Sequence, residues 1–169
     1  HESLRTVFPE QDGTALQLVL PPEQARVPLP VTDCHGTAQR DLDDVLAERA
    51  ARPFNLALEP PLRAELFVLG PQEHVLLVVL HHIAGDGWSV LPLAQDLRTA
   101  YEARLHGTPP RWAPLPVQYA DYALWQRELL GDAAEPGSLA GRQLSYWREA
   151  LAGLPDGLEL PTDFPRPAT

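Results

Sequence analysis

The chain has 169 residues, 44% of them hydrophobic and 21% charged, with a formal net charge of -10 and a pI near 4.9. That is length and apolar content for one globular domain rather than a disordered segment, and an acidic balance that argues against a nucleic-acid surface, which needs clustered cations. No apolar run approaches the roughly 18 residues that cross a bilayer, and the opening HESLRTVF has no basic segment followed by an apolar one, so no membrane partner is expected and the chain reads as cytoplasmic.

All thirteen cations are arginines, and none forms a dense block. The single cysteine, Cys34, cannot close an internal disulfide, and VTDCHGTAQ around it is a polar, loop-like stretch without a nucleophile signature. The absence of methionine and the abrupt start on His1 suggest an excised piece of a longer protein.

In chain order, ALQLVL (15–20) reads as a short strand between QDG and the PPEQ turn, followed by a proline-rich connector. From Arg40, the spacing of Leu42, Val45, Leu46, Arg49 and Ala50 fits one face of a helix that Pro53 ends. LRAELFVLG and EHVLLVVLHH then form two strands about the turn signal GPQ, which predicts an antiparallel hairpin. The second carries an unbroken apolar run, residues 75–80. Without in/out alternation it is expected to be a central strand buried on both faces.

Beyond the histidines, Ser89 is expected to cap a helix with Pro92 in its first turn, and Val90, Ala94, Leu97, Tyr101 and Leu105 continue it to Gly107. Further helices are expected over 117–130 and 138–151. The proline-rich tail, 155–169, reads as an extended linker. Trp112, Trp125, Trp147, Tyr119, Tyr122 and Tyr146 sit at spacings that suit packing in a core or against another lobe. Strands mixed with helices on a buried sheet point to a two- or three-layer α/β domain.

The candidate chemistry lies in VVLHHIAGDGWSVLPL, residues 78–93. Successive side chains of a strand face opposite sides, so His81 and His82 cannot both reach one site. This weighs against a metal, which needs at least three convergent ligands where only His82 and Asp86 could pair. A serine hydrolase elbow is also disfavoured, because DGWSV stands where G-x-S-x-G is required. The bland alternative is a histidine pair that merely ends a strand. Against it, Asp86-Gly87 at the helix entry can orient a side chain or cap amides and lets a ligand approach the backbone, and a histidine beside such a loop suits acid/base work.

HHIAGDG resembles the HHxxxDG motif shared by condensation domains of nonribosomal peptide synthetases and by chloramphenicol acetyltransferase-like acyltransferases. HESLRTVF is similar to the family's R-H-E-x-L-R-T-x-F block without its first arginine. ARPFNLALEPPLRAEL resembles the segment before the paired strands, with Asn55 where aspartate is usual. VQYADYALWQRELL and RQLSYWREALAGLPDGLELPTDFPRP look like later blocks of the family, with Phe164 replacing an arginine.

The resemblance implies a chloramphenicol acetyltransferase-like two-layer sandwich of which residues 1–169 are the N-terminal lobe, a central mixed sheet flanked by helices, with the first helix and the C-terminal lobe absent. It implies peptide-bond formation: the amine of a carrier-bound acceptor attacks a carrier-bound donor thioester in a tunnel between two lobes. His82 is the implied catalytic residue. His81, Asp86, Gly87 and Arg5 support the site, with Arg5 paired to Asp86, and Trp88 and Ser89 line the tunnel. No metal or directly bound cofactor is implied. Phosphopantetheine arms arrive on donor and acceptor peptidyl carrier proteins, beside adenylation and epimerization domains. Gly87-Trp88-Ser89 differs from the wording of epimerization domains, and GDGWSVLPLAQDL with the inserted LLGDAAEPGSLAGRQL is most similar to condensation domains that take a D-configured donor. An epimerization domain and a catalytically silent recruitment module of the same superfamily are the alternatives. A third is an acyltransferase that uses a free thioester.

Overall fold

The computed structural model describes residues 1–155, 157, 161, 163 and 164. The tail expected as a linker, 155–169, therefore falls largely outside the described residues. The chain divides into two compact units, His1–Ala120 and Asp121–Thr169.

The first unit opens on a 3-10 turn, Glu2–Arg5, followed by four two-residue strands: β1 Thr6–Val7, β2 Glu10–Gln11, β3 Thr14–Ala15 and β4 Leu18–Val19. β1 pairs with β4, and β2 with β3, both antiparallel. ALQLVL is thus two strand pieces rather than one, because each piece pairs with a different upstream partner.

The main sheet has three strands in the order β5 (Val31–Asp33), β6 (Leu62–Gly70) and β7 (Glu73–Leu80). β5 and β6 are parallel, joined through helix α1 (Gln39–Ala51), while β6 and β7 form the antiparallel hairpin expected about GPQ. β5 lies inside the stretch read as a connector. Three residues after Pro28 and Pro30 are too few to display a period of two.

Among the described residues β7 is at the sheet edge and β6 is central, so the expectation of a central strand buried on both faces is corrected. No residue of β7 is fully buried, and Leu76 is 47% exposed. The alternation that marks a half-covered strand was hidden because apolar residues occupy both of its faces. α1 covers one of them: Leu42 packs on Phe67 and Cys34, with Val45, Leu46, Leu69, Val75 and Leu77 around them. Phe67 is completely buried.

Helix α2, Gly87–Leu105, follows the histidine loop. It begins earlier than expected, because its N-cap is Asp86, and Ser89 is its third residue. Pro92 therefore lies beyond the first turn and removes one internal backbone bond.

Helix α3, Tyr119–Leu130, begins in the first unit and continues in the second, which also holds α4, Leu139–Ala150. Ser138 caps α4 by accepting from the Gly141 N–H at 2.9 Å while its hydroxyl donates to the Asp132 and Glu135 carbonyls. Gly141 is required there: a Cβ would stand 2.1 Å from the Glu135 carbonyl oxygen. The six aromatic residues assigned to packing are all exposed rather than buried in a core, Tyr122 the least at 43%.

Candidate active site

The site is built where β7 runs into α2. β7 ends at Leu80, so His81 and His82 stand just past it. The His81 N–H still donates to the Pro61 carbonyl at 2.9 Å, which carries the β6–β7 ladder one residue further. There the chain turns, the Ala84 N–H donating to the His81 carbonyl at 3.0 Å.

The two histidines differ in burial and in partners, although both lie beyond the end of β7. His81 is half-buried, with Nδ1 accepting from the Ile83 N–H at 3.0 Å, so in the neutral ring the proton sits on Nε2. Its ring meets Phe54 edge-on, 5.7 Å between centroids, and the Arg63 guanidinium covers Phe54 at 4.0 Å. Arg63 in turn forks onto Glu59 at 2.7 and 3.1 Å and donates to the Arg52 and Pro53 carbonyls. This column, Arg63–Phe54–His81, holds the strand end. His82 is exposed, and among the described residues no hydrogen bond engages its ring.

Asp86 closes the loop with a reciprocal cap. Its carboxylate accepts from the Trp88 N–H at 3.0 Å, the Ser89 N–H at 3.1 Å and the Ser89 hydroxyl at 3.0 Å, while Ser89 Oγ accepts from the Asp86 N–H at 3.0 Å. The Ser89 hydroxyl chiefly, with the Ser89 and Trp88 amides and the nearby His82 ring, holds the Asp86 carboxyl below its ordinary value of 3.8 against an opposing desolvation. Asp86 is therefore a fixed anion at the mouth of α2, close enough to His82 for its field to be felt.

The Arg5–Asp86 pair implied by the resemblance is not formed. Arg5 donates to the Leu20 carbonyl and to Glu2 at 2.9 Å, and its own carbonyl accepts from the Leu20 N–H at 2.8 Å. Arg5 staples the first turn to the end of β4, and Asp86 Oδ1 accepts from the first turn of its helix.

Gly87 is open, with nothing within 4 Å of where a Cβ would stand. Trp88 is 90% exposed and borders a cavity of about 250 Å³ that His1, Ser3, Leu80, Ala84, Ser89 and Pro92 also line. A second cavity, about 290 Å³, touches Ile83, Thr6, Gln17 and Tyr119. Sequence reasoning missed Gly85, where a Cβ would meet Leu80 at 2.5 Å, and it missed the Phe54–Arg63 support. The glycine before Asp86 was the available signal. Among the described residues no group of three or more His, Cys, Asp and Glu side chains gathers as a metal site would.

A mixed sheet that delivers an exposed histidine to a short loop, braced by a capped helix, defines an α/β domain presenting that histidine at a sheet end. A model of the family described as Condensation domain matches residues 1–169, and the chain belongs to that family. It is 58% identical over 168 residues to a dimodular nonribosomal peptide synthase of Bacillus subtilis (strain 168), covering 99% of this chain and 7% of that protein. It is 51% identical over 167 residues to an isonitrile lipopeptide synthase of Mycobacterium tuberculosis, again 99% of this chain and 7% of the relative. Among solved structures, the X-domain from teicoplanin biosynthesis, in complex with OxyB, superimposes with a TM-score of 0.86 at 42% identity, over 99% of this chain and 36% of that one. The epimerization domain from the third module of tyrocidine synthetase B shares the fold, with a TM-score of 0.77 at 24% identity, over 98% of this chain and 36% of that one. The chain thus spans a small part of the synthases and about a third of the solved domains it matches.

Proposed function

We propose that this segment supplies the catalytic histidine of a peptide-bond-forming acyltransferase in nonribosomal peptide synthesis. The observation that carries this reading is the division of labour in HHIAGDG: His81 is tied to the fold, Asp86 caps a helix, and His82 is exposed with no hydrogen bond to its ring among the described residues. Membership of the condensation-domain family and relatives that are peptide synthases support it.

The reaction is aminolysis of a thioester. The acceptor amine forms a C–N bond to the donor carbonyl, the C–S bond breaks, and the nitrogen loses a proton that ends on the leaving thiolate. With a pKa near 8, on the order of a tenth of such amines are already neutral near pH 7, so His82 need not generate the nucleophile. It takes the proton as the nitrogen becomes cationic, or holds the amine in line for attack. Phosphopantetheine arms of donor and acceptor carrier proteins deliver both substrates, with adenylation domains as neighbours, in the cytoplasm. The wording GDGWSVLPLAQDL supports a D-configured donor. Residues 1–169 act as one lobe of the domain, with 155–169 as the strap toward the other.

The second reading is a recruitment module, favoured by the likeness to an X-domain solved in complex with OxyB. One exchange separates the two. Residues 1–169 replace the matching segment of the Bacillus subtilis synthase, and peptide release is measured. Product from the exchanged enzyme supports catalysis. A folded, carrier-loaded chimera that forms no peptide but captures OxyB favours recruitment.

A further inference from the structure

A cavity of about 340 Å³ opens on the α1 side of the main sheet, and none of residues 81–89 lines it. That volume is at the small end of ligand sites, which run from about 300 to 1,000 Å³. Its apolar floor is Leu62, Leu77 and Val79, and Val27, Pro28 and Pro30 wall it. Around this floor stand four of the chain's thirteen arginines, Arg26, Arg49, Arg52 and Arg63, against two carboxylates, Glu59 and Glu65. In a chain of net charge -10, this is a local excess of positive charge over an apolar surface.

The four arginines are not equivalent. Arg63 is spent on Glu59, the Phe54 ring and the carbonyls of Arg52 and Pro53 at the end of α1. Arg49 contacts Glu48 and Glu65, each at 3.3 Å. The guanidinium groups of Arg26 and Arg52 make no hydrogen bond or ion pair within the described residues, and both residues are exposed. Glu59 feels the field of Arg52 but is not bonded to it: its oxygens are bonded to Arg63 and the Asn55 N–H. Two uncommitted guanidiniums on one apolar cavity present the planar donor forks that match a carboxylate.

We propose that this cavity binds a small organic carboxylate, its aliphatic body on Leu62, Leu77 and Val79 and its head held by Arg26 and Arg52. The site is separate from the histidine loop and stands whether or not that loop is catalytic.

Octanoate is the probe, titrated into the methyl-labelled 169-residue chain with NMR readout, and octanol and acetate are the comparisons. Octanoate is expected to shift the Leu62, Leu77 and Val79 methyl signals saturably, acetate to leave them in place, and octanol to bind at least about tenfold more weakly, the scale of a lost charge-assisted hydrogen bond. The double variant Arg26→Gln, Arg52→Gln is expected to lose a similar factor for octanoate with the rest of the spectrum unchanged. Octanol binding as tightly as octanoate, no methyl shifts at millimolar octanoate, or full affinity in a folded double variant would each overturn the proposal. Should the double variant not fold, the octanoate-octanol ratio on the unaltered chain decides.

Discussion

Asp86 and His82 lie four residues apart and are used in opposite ways. The aspartate is consumed by three donors at the start of α2, while the histidine keeps its ring free. Two substitutions separate charge from capping at position 86. Asn caps a helix as well as Asp, so Asp86→Asn is expected to keep the melting temperature, whereas Asp86→Ala lowers it by a few degrees, about 2–4 °C, read by circular dichroism. The pH dependence follows from the lowered Asp86 carboxyl. Because the folded state holds this proton less tightly than the unfolded chain, the cap contributes fully above the ordinary value of 3.8, and the contribution is lost as the pH falls below it through the depressed folded value. Melting curves between pH 7 and 3 should therefore converge for wild type and Asp86→Ala only at the acid end. Equal gaps at all pH values would mean that the carboxylate charge adds nothing to the cap. At the neighbouring Gly85, a methyl group would meet Leu80 at 2.5 Å and Ser89 at 3.1 Å. Gly85→Ala is expected to cost about 1–3 kcal/mol by overpacking and to displace the histidine loop.

At the scale of elements, the site depends on a hairpin held from behind. Phe67 at the centre of β6 is packed by α1, and Phe67→Ala is expected to cost about 3–5 kcal/mol in denaturant unfolding. A cost under about 1 kcal/mol would mean that this face is not the core. Arg63, the second residue of β6, reaches Phe54 and through it His81. Lysine carries the charge but not the planar fork, so Arg63→Lys is expected to destabilise nearly as much as Arg63→Ala, about 1–3 kcal/mol, and to broaden the His81 ring signals in NMR. These elements also show what the sequence makes legible. α1, the β6–β7 hairpin, α2, α3 and α4 were readable because each has enough residues to display a period, and proline or glycine marks their ends. β5 has three residues among prolines, and ALQLVL splits because pairing partners, not propensity, decide a two-residue strand. The edge position of β7 was illegible for another reason: an apolar run states that both faces are apolar, not that both edges are paired. At the site, the motif located the histidines and the capping carboxylate. It could not locate the Arg63–Phe54 brace, whose members come from a loop and another strand, nor the diversion of Arg5 to Leu20.

For the whole molecule, the apolar residues left in contact with water form part of the account. Trp88, Tyr119, Trp125, Tyr146 and Trp147 are each more than half exposed, which a chain acting alone rarely tolerates. No described helix is long and apolar enough to cross a membrane. The chain spans about a third of the solved domains it matches. We propose that His82 carries the chemistry and His81 the fold. It is tested most directly by His82→Ala and His81→Ala, each placed in the Bacillus subtilis synthase bearing residues 1–169, with peptide formation and melting temperature measured together. The account predicts that His82→Ala melts as the parent does and loses about 10²- to 10⁴-fold in turnover, while His81→Ala melts earlier and keeps a larger share of its turnover. Undiminished turnover in His82→Ala would contradict it.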